Sequence, residues 1–139
     1  MKENVLSPSQ LFLENESKFS YEETVTLLSE HILNIDWKIS AVHDLQATLK
    51  KNGKDILPVR ILELCNPVYS GQLLDTDALR IYSPMMPCRL SVYEKNDGKV
   101  YIARMNSAAM AAIVGGKVEE VMAKAFADIE NVLEYFIAD

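Results

Sequence analysis

Apolar residues recur at Val25, Leu28, Ile32 and Ile35, with Leu27 beside them. That spacing of three and four predicts a helix over residues 21–34. Its start is marked by Ser20-Tyr21-Glu22-Glu23, a capping box in which the serine oxygen accepts from the N3 amide and the glutamate reaches back. The period then drops to two. In residues 36–43, Trp37, Ile39, Ala41 and His43 are expected on one face of a strand and Lys38 and Ser40 on the other. Residues 44–52 read as a short helix with Asp44 as its N-cap, stopped by Gly53. In strand 58–65, Ile61, Glu63 and Cys65 share one face and Leu62 and Leu64 the other. Apolar groups on both faces predict a central strand, or one that meets a partner subunit.

Residues 66–87 form a long connection, with a short helix near Tyr69–Leu74. The runs 88–95 and 99–105 alternate around Asn96-Asp97-Gly98, which predicts a hairpin closed by a type I′ turn. Cys88, Leu90 and Val92 face one way, Arg89, Ser91 and Tyr93 the other. Leu11–Leu13 predicts a short leading strand. Residues 107–114 give a small-residue helical turn or two, broken by Gly115-Gly116. A last helix, 117–137, carries a continuous apolar stripe from Val118 to Phe136. The order is strand-helix-strand-short helix-strand-hairpin-long helix. It predicts an α+β two-layer sandwich, a mostly antiparallel sheet with helices on one face. Residues 1–9 read as a flexible N-terminal segment and 10–139 as a single α+β domain.

Composition narrows the function classes. Of 139 residues, 49% are hydrophobic and 24% charged, with a formal net charge of −6. Such an acidic surface repels phosphate backbones and anionic lipid, so neither nucleic acid nor membrane is expected as a partner. No leading apolar stretch resembles a signal peptide and no window approaches a membrane span, so the expected location is cytoplasmic. There the two cysteines are expected to be reduced thiols. Gly115-Gly116 lacks the Lys-Ser/Thr pair of a phosphate loop, since Val118 follows Lys117, and no G-x-S-x-G is present. No cofactor is implied, and enzymatic activity is left open, with a non-enzymatic module preferred.

The candidate chemistry gathers at Cys65 and Cys88, each beside a proline. If strands 36–43 and 58–65 ran parallel across the short helix, His43 and Cys65 would end at one rim, and an antiparallel strand 88–95 would return Cys88 to it. Three readings of that rim stand open. In the first, both cysteines are small buried hydrophobes, and Asn66 and Pro67 end the strand. In the second, Cys65, Asn66, Pro67, Cys88, Arg89 and His43 form a ligand or thiol site, with a cation lowering a thiol pKa for redox or sulfur chemistry. In the third, Cys65, Cys88 and His43, with Met85 or Met86, hold a soft metal such as copper or zinc; no CxxC or HxxxH pair supports it. Glu63 amid apolar neighbours needs a partner, and Arg60, Arg89 and Arg104 are the candidates. His31 reads as a helix-flank residue. His43 and Asp44, adjacent on a strand, point to opposite faces and do not form a direct acid/base pair.

The stretches LELCNP (62–67), MPCRLSVYEKNDGKVYIARMN (86–106) and VEEVM (118–122), preceded by DWKISAVHDL (36–45), resemble the domain-of-unknown-function family 302. The resemblance runs from about residue 18 to the end. It implies a small α+β fold in the TATA-binding-protein-like class, often assembled as homodimers, and it implies no established reaction. The family's recurrent positions match Cys65, Asn66, Pro67, Pro87, Cys88 and Arg89. The resulting expectation is a homodimeric module that binds a small ligand or a protein.

Overall fold

The structure, a computed structural model, describes residues 8–86 and 88–139. Most of the expected flexible segment 1–9, and Pro87, lie outside the described residues. The chain enters through a helical turn, α1 (Pro8–Leu11), and then β1 (Phe12–Glu16). Next comes α2 (Tyr21–Asn34), whose predicted capping box is formed: the Glu23 amide donates to Ser20 Oγ at 3.3 Å and the Ser20 amide to Glu23 Oε1 at 3.2 Å. Asp36, at φ 64°, turns the chain out of the helix, a left-handed position that short polar side chains tolerate. Then follow β2 (Lys38–Asp44), α3 (Leu45–Lys51), β3 (Val59–Cys65), α4 (Pro67–Leu74) and a run of tight 3₁₀ turns, Asp77–Met85. The hairpin β4 (Cys88–Glu94) and β5 (Val100–Met105) leads to α5 (Ser107–Val114) and α6 (Gly116–Leu133).

The five strands form one sheet in the order β1-β5-β4-β3-β2, antiparallel throughout. The expected α+β sandwich is what the chain forms. Two details differ. First, β2 and β3 are antiparallel: Lys38 lies opposite Cys65 and His43 opposite Ile61. The α3 segment caps a turn back along the sheet instead of bridging a parallel crossover, so His43 and Cys65 lie apart along the strand pair. Second, the register slips at Ser40, between Ile39 and Ala41. A bulge adds one residue and reverses the alternation. Ile39 therefore shares the face of Leu64, while Ala41 and His43 move to the other face with Glu63 and Ile61. The hairpin forms where expected, but Gly98 is the one residue of its turn with positive φ (81°), and its amide bonds Lys95 O at 3.0 Å. That geometry is a type I turn with a glycine bulge, not type I′.

Helices α2 and α6 cover one face of the sheet. Leu28 and Ile32 from α2, Ile129 and Leu133 from α6, and Leu62, Leu64, Leu90, Val92 and Ile102 from the strands are buried together, with Phe136 completing the layer. Burial of each large side chain contributes roughly 1.5–3 kcal/mol. The stripe on α6 is not devoted to this core alone. Its first turns, Val118, Val121 and Met122, join Leu73 and Ala111 in a second cluster. Tyr69, Leu79, Tyr82, Met85 and Met86 of the 67–86 excursion pack on that cluster. One helix thus spans two cores, and the gap between them sets up the site.

Candidate functional site

β3 ends at Cys65 where β4 begins at Cys88. Asn66 caps α4 there, its Oδ1 accepting the Val68 amide at 3.0 Å, and Pro67 takes the first helical position, where a missing N–H costs nothing. The helix then runs over the sheet end toward α6. Between them lies a cavity of about 240 Å³. Trp37, Leu64 and Cys88 line it from the sheet side, Tyr69, Leu73 and Leu74 from α4, and Val121, Met122 and Ala125 from α6. Cys65, Asn66, Ser40, Ser70 and Met86 complete its border. No aspartate, glutamate, lysine, arginine or histidine is part of the lining. A smaller hollow of about 70 Å³ lies on the other side of Cys88, against Arg89, Arg104, Met105, Phe126 and Glu130.

The two rings of the larger cavity are held by one carboxylate. Asp128 Oδ2 accepts from Tyr69 Oη at 2.9 Å and from Trp37 Nε1 at 3.4 Å. The bond to Asp128, then burial, raises the Tyr69 pKa. The ring centroids stand 6.0 Å apart, tilted by 58°. Both cysteines are free. They do not form a close pair: Cys88 stands opposite Leu64, not Cys65. Burial pushes the Cys88 thiol up from 9.0 to about 11, and the Cys65 thiol acts in the same direction. A thiol held this way is a weak nucleophile at neutral pH.

Cys65, Asn66 and Cys88 therefore border one cavity, with Met86 beside them and exposed Pro67 heading α4. His43 and the Arg89 guanidinium are bonded on the opposite face of the sheet, although Arg89 also borders the smaller hollow with Cys88. There Glu63 Oε1 accepts from Arg89 Nε and Nη2 at 3.1 and 2.9 Å, and Glu63 Oε2 lies 3.0 Å from His43 Nε2. These bonds, His43 first and then Arg89, hold the Glu63 pKa below 4.5. Glu63 thus finds one of its expected partners, Arg89. Arg60 goes to Glu22 and Asp44. Arg104 is 7% exposed on the helix-covered face, where it forms a fork with Glu130 at 2.7 and 2.8 Å and donates to Asn15. Asp44 caps α3 through the Ala47 amide, and His31 stacks on Tyr135 at 4.8 Å. Among the described residues no three of histidine, cysteine, aspartate and glutamate cluster as metal ligands, and no helix is long and apolar enough to cross a membrane.

Trp37, Tyr69, Leu73 and Asp128 were not singled out as site residues by sequence pattern. Asp128 lies 91 residues from Trp37 and 59 from Tyr69. The available signal was weak: Asp128 is one of several acids on the helix that carries the apolar stripe.

A family model described as "Domain of unknown function DUF302" matches residues 13–136. Among solved structures, the uncharacterised conserved DUF302 protein from Bacillus stearothermophilus is 21% identical, with a TM-score of 0.78 over 89% of this chain and 96% of that one. At that identity the likeness carries the fold. No curated protein matches.

Proposed function

The chain belongs to the DUF302 family, a domain of unknown function, and from that premise we propose that it is a non-enzymatic module that binds a small molecule in the cavity bordered by Cys65 and Cys88. One observation carries the reading: a hollow of about 240 Å³ with no ionised side chain in its lining, placed between two apolar cores. Such a space favours transfer of an apolar solute out of water and offers nothing to activate a substrate. Thiol chemistry is the weaker reading, because Cys88 is driven toward its neutral form. Soft-metal binding loses His43, which faces the other side of the sheet, leaving Cys65, Cys88 and Met86 at the cavity.

The module acts, in this proposal, as a homodimer through the sheet face opposite α2 and α6. Its middle is built from Ala103, Ser91 and Ile61, which the register aligns across three strands. Its carboxylates are already satisfied. Glu63 bonds Arg89, Glu14 bonds Lys95 and Tyr93, and Glu16 lies 3.7 Å from Lys99. A face neutralised from within loses less on leaving water than an unpaired one.

Backbone NMR during titration with a mixture of small uncharged fragments tests the ligand site. The expected shifts fall on Cys65, Tyr69, Leu73, Cys88 and Met122. Shifts scattered over the surface, or none, would overturn it.

A further inference from the structure

Resting on that reading, we propose that the cavity selects an uncharged molecule with a single aromatic ring. Each tryptophan, tyrosine, serine and asparagine side chain of its lining makes a hydrogen bond inside the protein. Trp37 Nε1 and Tyr69 Oη both donate to Asp128. Ser40 Oγ donates to Glu63 O at 3.2 Å, Ser70 Oγ to Asn66 O at 3.3 Å, and Asn66 Oδ1 holds the Val68 amide. A ligand that brings a charge meets no counter-charge in the lining, and the Asp128 carboxylate behind the rings repels an anion. The cost of burying an unpaired charge removes carboxylates and phosphates from the candidates.

Size and shape narrow the class. Apolar cavities of about 150 Å³ stay dry and admit benzene. A volume of about 240 Å³ accommodates one substituted ring. Trp37 and Tyr69, 6.0 Å apart between centroids and tilted by 58°, both border the space that a planar guest would enter. Aromatic pairs at such separations gain beyond their area. Met86 and Met122 sit on the same lining, and thioether sulfur makes favourable contacts with aromatic rings.

The experiment compares three probes of similar bulk, toluene, benzoate and 1-hexanol, on the intact protein. Trp37 is the single tryptophan and borders the cavity, so its emission reports occupancy. Ala125→Leu fills the space and serves as the site control, with Met122→Phe as a second filling variant should the first fail to fold. The expected result is saturable toluene binding, weaker by about 100-fold or more for benzoate and by about tenfold for hexanol, and lost on filling. Hexanol or benzoate binding as tightly as toluene, and lost on filling, would overturn the ligand class while leaving the binding site standing. No binding by any probe, or binding that both filled variants retain, would overturn the two together.

Discussion

Cys88 shows how a residue's surroundings decide its chemistry. The thiol sits between two hollows on the helix-covered face, and burial raises its pKa from 9.0 to about 11. The sign follows directly. Between those values the unfolded chain releases the thiol proton and the folded chain keeps it, so this group's share of stability is full below pH 9.0 and falls as pH rises toward about 11. Alkylation of Cys88 in native protein should accordingly accelerate only as pH approaches 11. A midpoint near 9.0, read by mass spectrometry of labelled peptides, would show an ordinary exposed thiol instead, and one well below 9.0 an activated thiol. Arg104 is the second decisive residue. Its side chain is 6% exposed and forks onto Glu130. Glu130→Ala leaves that guanidinium buried and short of its counter-ion, so denaturant unfolding should show a loss of about 3 kcal/mol or more. A loss under about 1 kcal/mol, the range of surface pairs, would mean that water reaches the arginine.

At the scale of elements, the 67–86 excursion is set apart from the sandwich. It is held chiefly by the second cluster on α6, and it leaves Val68 67% and Ile81 76% exposed. A unit with so little apolar burial opens ahead of the sheet. Hydrogen exchange should therefore release amides of 67–86 at lower free energy than those of β3, β4 and β5. Equal protection in both would show one cooperative unit and no separate roof over the cavity. Element boundaries were legible where local chemistry specifies them. Ser20 and Glu23 announced α2, and Asn96-Asp97-Gly98 announced the hairpin. Strand pairing was not legible for β2 and β3, because a seven-residue α3 with flanking loops satisfies either direction. The bulge at Ser40 left no mark in the alternation of Trp37, Ile39, Ala41 and His43, and it alone moved His43 across the sheet. The cavity was legible in part. Cys65 and Cys88 were expected at one rim from strand direction. The joint hold of Asp128 on Trp37 and Tyr69 depends on contacts between distant segments, which periodicity does not encode.

For the whole molecule, the proposed assembly uses the face that α2 and α6 leave free. Light scattering on the eluted protein should give twice the chain mass of 15.6 kDa. Ile61→Arg, placing an unpaired charge in the middle of that face, should return it to one chain. A wild-type protein that scatters as a single chain would remove the dimer from the account and leave the cavity untouched. The central claim concerns that cavity, and the most direct measurement is crystallography under xenon pressure. Xenon enters apolar cavities and avoids polar, hydrated ones. The account predicts one strong xenon position between Trp37, Leu73 and Met122. Ordered water filling that space, or no xenon within it, would contradict an apolar ligand site.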